Sequence, residues 1–280
     1  MRLWRSSPYR AHPLNLNNST NIRVIELLPG RPEAPLSCKL HVLPLENEPV
    51  FTALSYVWGD ETNTKSILLD GKHHIVRENL WNFLAQYRRS EYTSRLWIDA
   101  LCIDQSSIIE RNHQVALMGK IYSSAKLVIT WLGHGFSSCL SHVSTFDACT
   151  SNIQLYANSM IQLSSSPYWT RLWIVQEFVL AANINIWSDA ETTDGHMLAK
   201  AYMRYKQQPY GLTSNLKFDE FHILDENFQR LNNFAHAGCA DARDRVYGVL
   251  GLLDPDELTK HPIVPDYSKP PSALFREIFV

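Results

Sequence analysis

The chain has 280 residues, with 26 Lys and Arg against 28 Asp and Glu, so its formal net charge of −2 gives no electrostatic reason to meet nucleic acid or an anionic membrane. Five scattered cysteines, Cys38, Cys102, Cys139, Cys149 and Cys239, lack any C-x-x-C spacing, which argues against a disulfide framework or a zinc knuckle and predicts a reducing, cytoplasmic setting. The start "MRLWRSSPYRAHPLNLNN" has no uninterrupted apolar core, and no apolar run approaches the roughly 18 residues of a membrane span, so a soluble, unexported protein is expected.

Residues 1–50 hold two β-like runs, "IRVIELL" and "CKLHVLPL", separated by "PGRPEAPLS", and read as a β ribbon leading into the main domain. An apolar strand, "FTALSYVWGD", follows, and then "SILLDGKHHIV", in which Asp70-Gly71 is a hairpin signal. In "ENLWNFLAQYRR", Leu80, Phe83, Leu84 and Tyr87 fall at helical spacing. "RLWIDALCID" reads as a second buried strand. "SSIIERNHQVALMGKIYSSA" reads as a helix with a Ser107–Glu110 capping box and an inward face of Val115, Met118, Ile121, Tyr122 and Ala125. "KLVITWLG" is a third strand and "NINIW" a fourth, after a weakly patterned insertion from about His134 to Ser166. Strands alternating with helices predict an α/β fold with a mostly parallel sheet and helices on both faces. The polar stretch from about Ser188 to Asn233 resists assignment. "DARDRVYGVLGLLD" and "PDYSKPPSALFREIFV" predict a mostly helical C-terminal extension over 188–280, ending inside a helix.

Between Leu172 and Ala182 only Gln176 and Glu177 are polar. On a continuous helix, Trp169, Trp173, Gln176 and Leu180 share a stripe with Glu177 at its edge. A helix apolar nearly all round is buried, and a buried carboxylate needs a partner or an opening. Two readings stand side by side. Glu177 is a structural acid held by a backbone group or by an arginine such as Arg243 or Arg245, or it faces a pocket at the strand ends, where open α/β sheets place ligands.

Taken together, "FTALSYVWGD", "RLWIDALCIDQ" with "IYSSAKLVITWLG" behind it, and "YWTRLWIVQE" resemble the fungal heterokaryon-incompatibility (HET) domain over about half the chain, from Phe51 to Ala182. That places the domain at 51–187. The stretch from Asp189 to Asn233 and the chain's end depart from the family. The resemblance implies a role in non-self recognition and programmed cell death when incompatible fungal cells fuse. It also implies a distant similarity to TIR domains of innate immunity, with a flavodoxin-like sheet. Trp173 to Glu177 is then a match to the W-x-x-x-E spacing of NAD-cleaving TIR domains, and Ser55-Tyr56 to the pair on their first strand. On that analogy Glu177 is the catalytic carboxylate that stabilises an oxocarbenium-like ribose. Trp173 and Gln176 shape the pocket, and Ser55, Tyr56, Trp58, Asp60, Asp99, Asp104 and Gln105 line the cleft, with NAD as substrate and no metal or resident cofactor. For each there is a plainer role: Trp58 and Trp173 as core, Asp104 as a helix cap. The competing expectation is a signalling adaptor that works by self-association with an unidentified incompatibility partner.

Cys102 in "DALCID" reads as a buried, inert thiol. His73 and His74 alternate across a strand and cannot form a metal pair. Neither nucleotide-phosphate fingerprint is present.

Overall fold

Asp70 and Gly71 carry φ of 50° and 73°, positive at both central positions of a two-residue turn, the geometry that matches the twist of the strands it joins. In the computed structural model, which describes residues 7–17, 19–90, 92–145, 152–206, 238–253 and 255–278, this turn links β4 (Thr64–Leu69) to β5 (Lys72–Arg77) in an antiparallel hairpin. Cys149 and residues 207–233 of the polar stretch lie outside the described residues. The described residues of Met1–Leu54, Trp58–Lys126 and Asp254–Val280 form one compact unit, and those of Ser55–Val57 and Leu127–Leu253 a second.

In the first unit the strand order is β5-β4-β2-β1-β6-β3. β1 (Asn21–Leu27) and β2 (Ser37–Pro44) form the predicted ribbon, in register from Asn21 opposite Pro44 to Leu27 opposite Cys38. The ribbon is part of the sheet, because β2 pairs with β4 in parallel and β1 with β6 (Leu96–Trp97). β3 (Thr52–Tyr56) runs parallel to β6 and is buried at all five positions, as a strand covered on both faces should be. α1 (Glu78–Arg89) buries Leu80, Phe83, Leu84 and Tyr87, the face its periodicity predicts, and packs on β4 and β5.

Two expectations change here. The second strand is only two residues long, and the chain turns at Asp99 into α2 (Asp99–Cys102), where the Asp99 carboxylate accepts from the N–H of Ala100 (2.7 Å). The long helix divides at Leu117 into α3 (Ile108–Ala116) and α4 (Met118–Ser124). Met118, Ile121, Tyr122 and Ala125 are buried as predicted, but Gln114 is fully buried where Val115 is only half-buried, its amide donating to the carbonyl of Asn21 (2.9 Å). Ser107 caps α3, while Glu110 reaches away from the cap. It meets the buried Arg23 guanidinium in a two-pronged ion pair and accepts from the N–H of Asp104 (2.6 Å). α10 (Pro255–Lys260) and α11 (Pro271–Ile278) close this unit, where Asn112 on α3 holds Tyr267 N–H (2.9 Å) and the Arg111 guanidinium lies 4.0 Å from the Tyr267 ring.

In the second unit Ser55 and Tyr56, the end of β3, precede β7 (Leu127–Trp131), β8 (Ile184–Ser188) and β9 (Glu191–Asp194) in strand order. β7 and β8 pair in parallel, and β9 folds back antiparallel. The weakly patterned insertion contains α5 (Ser137–Ser144) and α6 (Ile153–Ser164). α7 (Ile174–Val179), α8 (Gly195–Lys206) and α9 (Asp244–Tyr247) follow. The chain is therefore α/β, with a mixed sheet flanked by helices: antiparallel pairs arise largely where neighbouring strands turn back, and parallel ones where the chain crosses over. Among the described residues no helix is long and apolar enough to cross a membrane.

Candidate functional site

The segment around Glu177 is not one helix. Ser166 caps a 3-10 turn over Pro167–Thr170, Arg171 is extended (φ −83°, ψ 138°), and α7 begins only at Ile174. Arg171 is extended because it bridges to Gly238, flanked by hydrogen bonds from Gly238 N–H to Thr170 O (2.6 Å) and from Leu172 N–H to Gly238 O (3.1 Å). On a continuous helix residues 171 and 177 would point to different sides. The break lets the guanidinium return to the carboxylate, Nη1 to Oε2 and Nη2 to Oε1, both at 3.4 Å.

Glu177 is 2% exposed. Its Oε2 also accepts a hydrogen bond from Ser55 Oγ at the end of β3. Ser55 Oγ lies 2.6 Å from Tyr168 Oη, which lies 3.2 Å from Thr130 Oγ1 on β7. Each hydroxyl has one proton, so the bond from Ser55 to the carboxylate orders the chain: Thr130 donates to Tyr168, Tyr168 to Ser55, Ser55 to Glu177. Ser55, Thr130 and Tyr168 are fully buried. Burial raises the Tyr168 phenol above its ordinary pKa, the Glu177 charge raises it further, and the bonds to Ser55 and Thr130 oppose both. The carboxylate thus stands in a buried polar cluster: the Arg171 guanidinium and the Ser55 hydroxyl meet it, and Tyr168 and Thr130 extend the hydroxyl chain behind Ser55.

The neighbours on α7 point elsewhere. Trp173 Nε1 donates to Asp244 (3.1 Å) and the Gln176 amide to Tyr247 O (2.9 Å), both on α9. Tyr56 is buried in the same unit. Arg243, one of the two arginines expected as partners of Glu177, holds Asp241 at 2.6 Å.

In the first unit, half-buried Trp58 donates from Nε1 to the Asp99 carboxylate (2.7 Å), and the Gln105 amide donates to Asp99 O (3.0 Å). The Arg77 guanidinium lies 5.2 Å from the Trp58 ring and donates to Gly59 O (2.6 Å). Asp60 and Asp104 each close a local turn. Asp60 accepts from the N–H and hydroxyl of Thr62, which hold its carboxyl below the usual range. Asp104 accepts from the N–H and hydroxyl of Ser106, while Ser107 caps the helix.

Sequence reasoning did not single out Tyr168, Thr130 or Arg171, and only the extended Arg171 makes the last visible. It also missed a second polar hub. Asp189 (φ 48°) accepts from Ser137 Oγ (2.6 Å) and Gly135 N–H (3.0 Å) and bonds His134. Serine and histidine both serve the carboxylate there, so the histidine does not activate the serine. Burial pushes the Cys102 thiol up to about 12, which keeps it unreactive. Among the described residues no group of three or more His, Cys, Asp or Glu could hold a metal ion.

Fold and cluster together define an α/β domain with an acid closed in at the end of a fully buried strand. Residues 51–177 match the family model described as Heterokaryon incompatibility protein (HET). The chain is similar to "Heterokaryon incompatibility protein 6, OR allele" of Neurospora crassa, at 38% identity over 129 residues, which is 41% of this chain and 19% of that protein. The match thus spans about a fifth of the relative's length. No solved structure matches.

Proposed function

We propose that the chain acts in a heterokaryon-incompatibility response, non-self recognition that ends in cell death. In this reading its HET domain is a signalling module that works by association with its own kind and with an incompatibility partner. The match over 51–177 supports the process. The observation that carries the molecular half is the closure of Glu177, 2% exposed beneath the Arg171 guanidinium. A carboxylate so paired ties α7 to β3, and its removal affects the fold before any chemistry. The test is expression of the chain in fungal cells beside Glu177→Gln. A folded variant that still triggers death supports a structural acid; a folded variant that is silent contradicts it.

A second reading is favoured by the contact of Ser55 with Glu177, the pairing expected of a TIR-like NAD glycohydrolase. The closed cluster is then the resting form of a site that cleaves the bond between nicotinamide and ribose. The carboxylate would face the developing ribosyl cation, Ser55 would orient it, and Arg171 would have to leave first, since a guanidinium neutralises the charge the cation needs.

A further inference from the structure

Arg171 is kept extended by a segment distant in sequence. Gly238 bridges the backbone just before and after Arg171, Asp244 holds the Trp173 indole, and the carbonyl of Tyr247 holds Gln176. The glycines at both ends allow the close approach. A Cβ on Gly238 would stand 3.3 Å from Thr170 O, and one on Gly248 would stand 2.8 Å from Asp244 O and 3.1 Å from the Leu172 side chain. The segment's apolar contacts include buried Leu172 and Val175, with partly buried Val179, Cys239, Val249 and Leu252 around them, and the buried Tyr247 ring. Gly238, Ala240, Ala242 and Arg245 are exposed. A short segment held by polar anchors and one buried ring, and exposed at four of its positions, is of the kind that opens locally.

We propose that Gly238–Gly248 is an intramolecular latch on the Glu177 site. In place, it keeps Arg171 extended with its guanidinium on the carboxylate. Displaced, it frees the guanidinium, already 19% exposed, to swing into water and opens the Ser55–Glu177 pair. In the latched form the guanidinium occupies the place of a cationic substrate, a ribosylated pyridinium such as oxidised nicotinamide nucleotide. This rests on the second reading above, whose site it regulates.

The test is carbodiimide labelling of carboxylates, read residue by residue by mass spectrometry on the full chain, with circular dichroism as the check on folding. Wild type is compared with Trp173→Phe, which deletes one N–H donor, and with Gly248→Val, which wedges the segment outward. The latch predicts slow labelling of Glu177 in wild type and a rise of about tenfold in both variants, with Glu61, 83% exposed, unchanged. If Gly248→Val does not fold, Trp173→Phe decides alone. An unchanged Glu177 rate in folded Trp173→Phe, or a wild-type rate equal to that of Glu61, overturns the latch. Nicotinamide release from NAD is followed on the same variants. Opening of Glu177 without release upholds the latch and removes the second reading.

Discussion

Arg171 and Glu177 are six residues apart in sequence and 3.4 Å apart in space, and they meet because the chain between them is only partly helical. Removing either partner leaves the other ill served. Arg171→Ala takes the guanidinium from a buried carboxylate and should lower stability by about 2–4 kcal/mol. Glu177→Gln keeps the shape and should cost less, about 1–2 kcal/mol. Urea unfolding followed by tryptophan fluorescence gives both values, and Arg171→Ala should be the worse.

Ser55 and Tyr168 form consecutive links of one proton-ordered chain. Ser55→Ala removes a donor from the carboxylate and an acceptor from the phenol at once, at about 1–3 kcal/mol, and Tyr168→Phe should cost about 1 kcal/mol. The double variant should fall short of the sum by about 1 kcal/mol, because the second deletion finds the link already broken. Strict additivity would show that the hydroxyls act independently.

Much of the architecture could be read from the sequence because its cause is local. The Asp70-Gly71 hairpin follows from which residues accept positive φ, and the inward face of α1 from the spacing of Leu80, Phe83, Leu84 and Tyr87. The apolar "LVITW" and "INIW" become β7 and β8 for the same reason. The site was legible only in part. Ser55 and Glu177 do meet, but the helix holding Glu177 is shortened by a backbone bridge to Gly238, a contact no local pattern encodes. The sequence suggested a backbone group or an arginine such as Arg243 or Arg245 as partner, and nothing local pointed to Arg171. Asp99 shows the same limit on a smaller scale, since the run predicted as one strand turns there into a helical turn.

Arg23 and Glu110 form the first unit's buried ion pair, with side chains 1% and 9% exposed. The guanidinium also donates to the carbonyls of His12 (2.7 Å) and Cys102 (3.1 Å), so it ties the N-terminal segment, β1 and α2 together. Glu110→Ala should cost about 3–5 kcal/mol, whereas replacing both residues with methionine should recover much of it. Thermal unfolding of the single and double variants tests this, and equal losses in the two would contradict it.

His74 is partly buried beside the Tyr9 ring, and burial lowers its pKa in the fold. Above the unfolded value of about 6.5 both states are neutral and stability is full. As pH falls below that value the unfolded chain takes up a proton that the fold resists, so stability declines until the folded group protonates as well. Unfolding free energies between about pH 5 and pH 8 should therefore fall with acidity more steeply in wild type than in His74→Phe. Parallel profiles would place the dependence on other groups.

The most direct test of a closed, structural Glu177 is nicotinamide release from NAD by the purified chain at high concentration, beside Glu177→Gln, with circular dichroism confirming both folds. A closed Glu177 should give no release by the folded chain and no difference between the two proteins. Release by wild type that a folded Glu177→Gln lacks would contradict it and make Glu177 the centre of an enzyme.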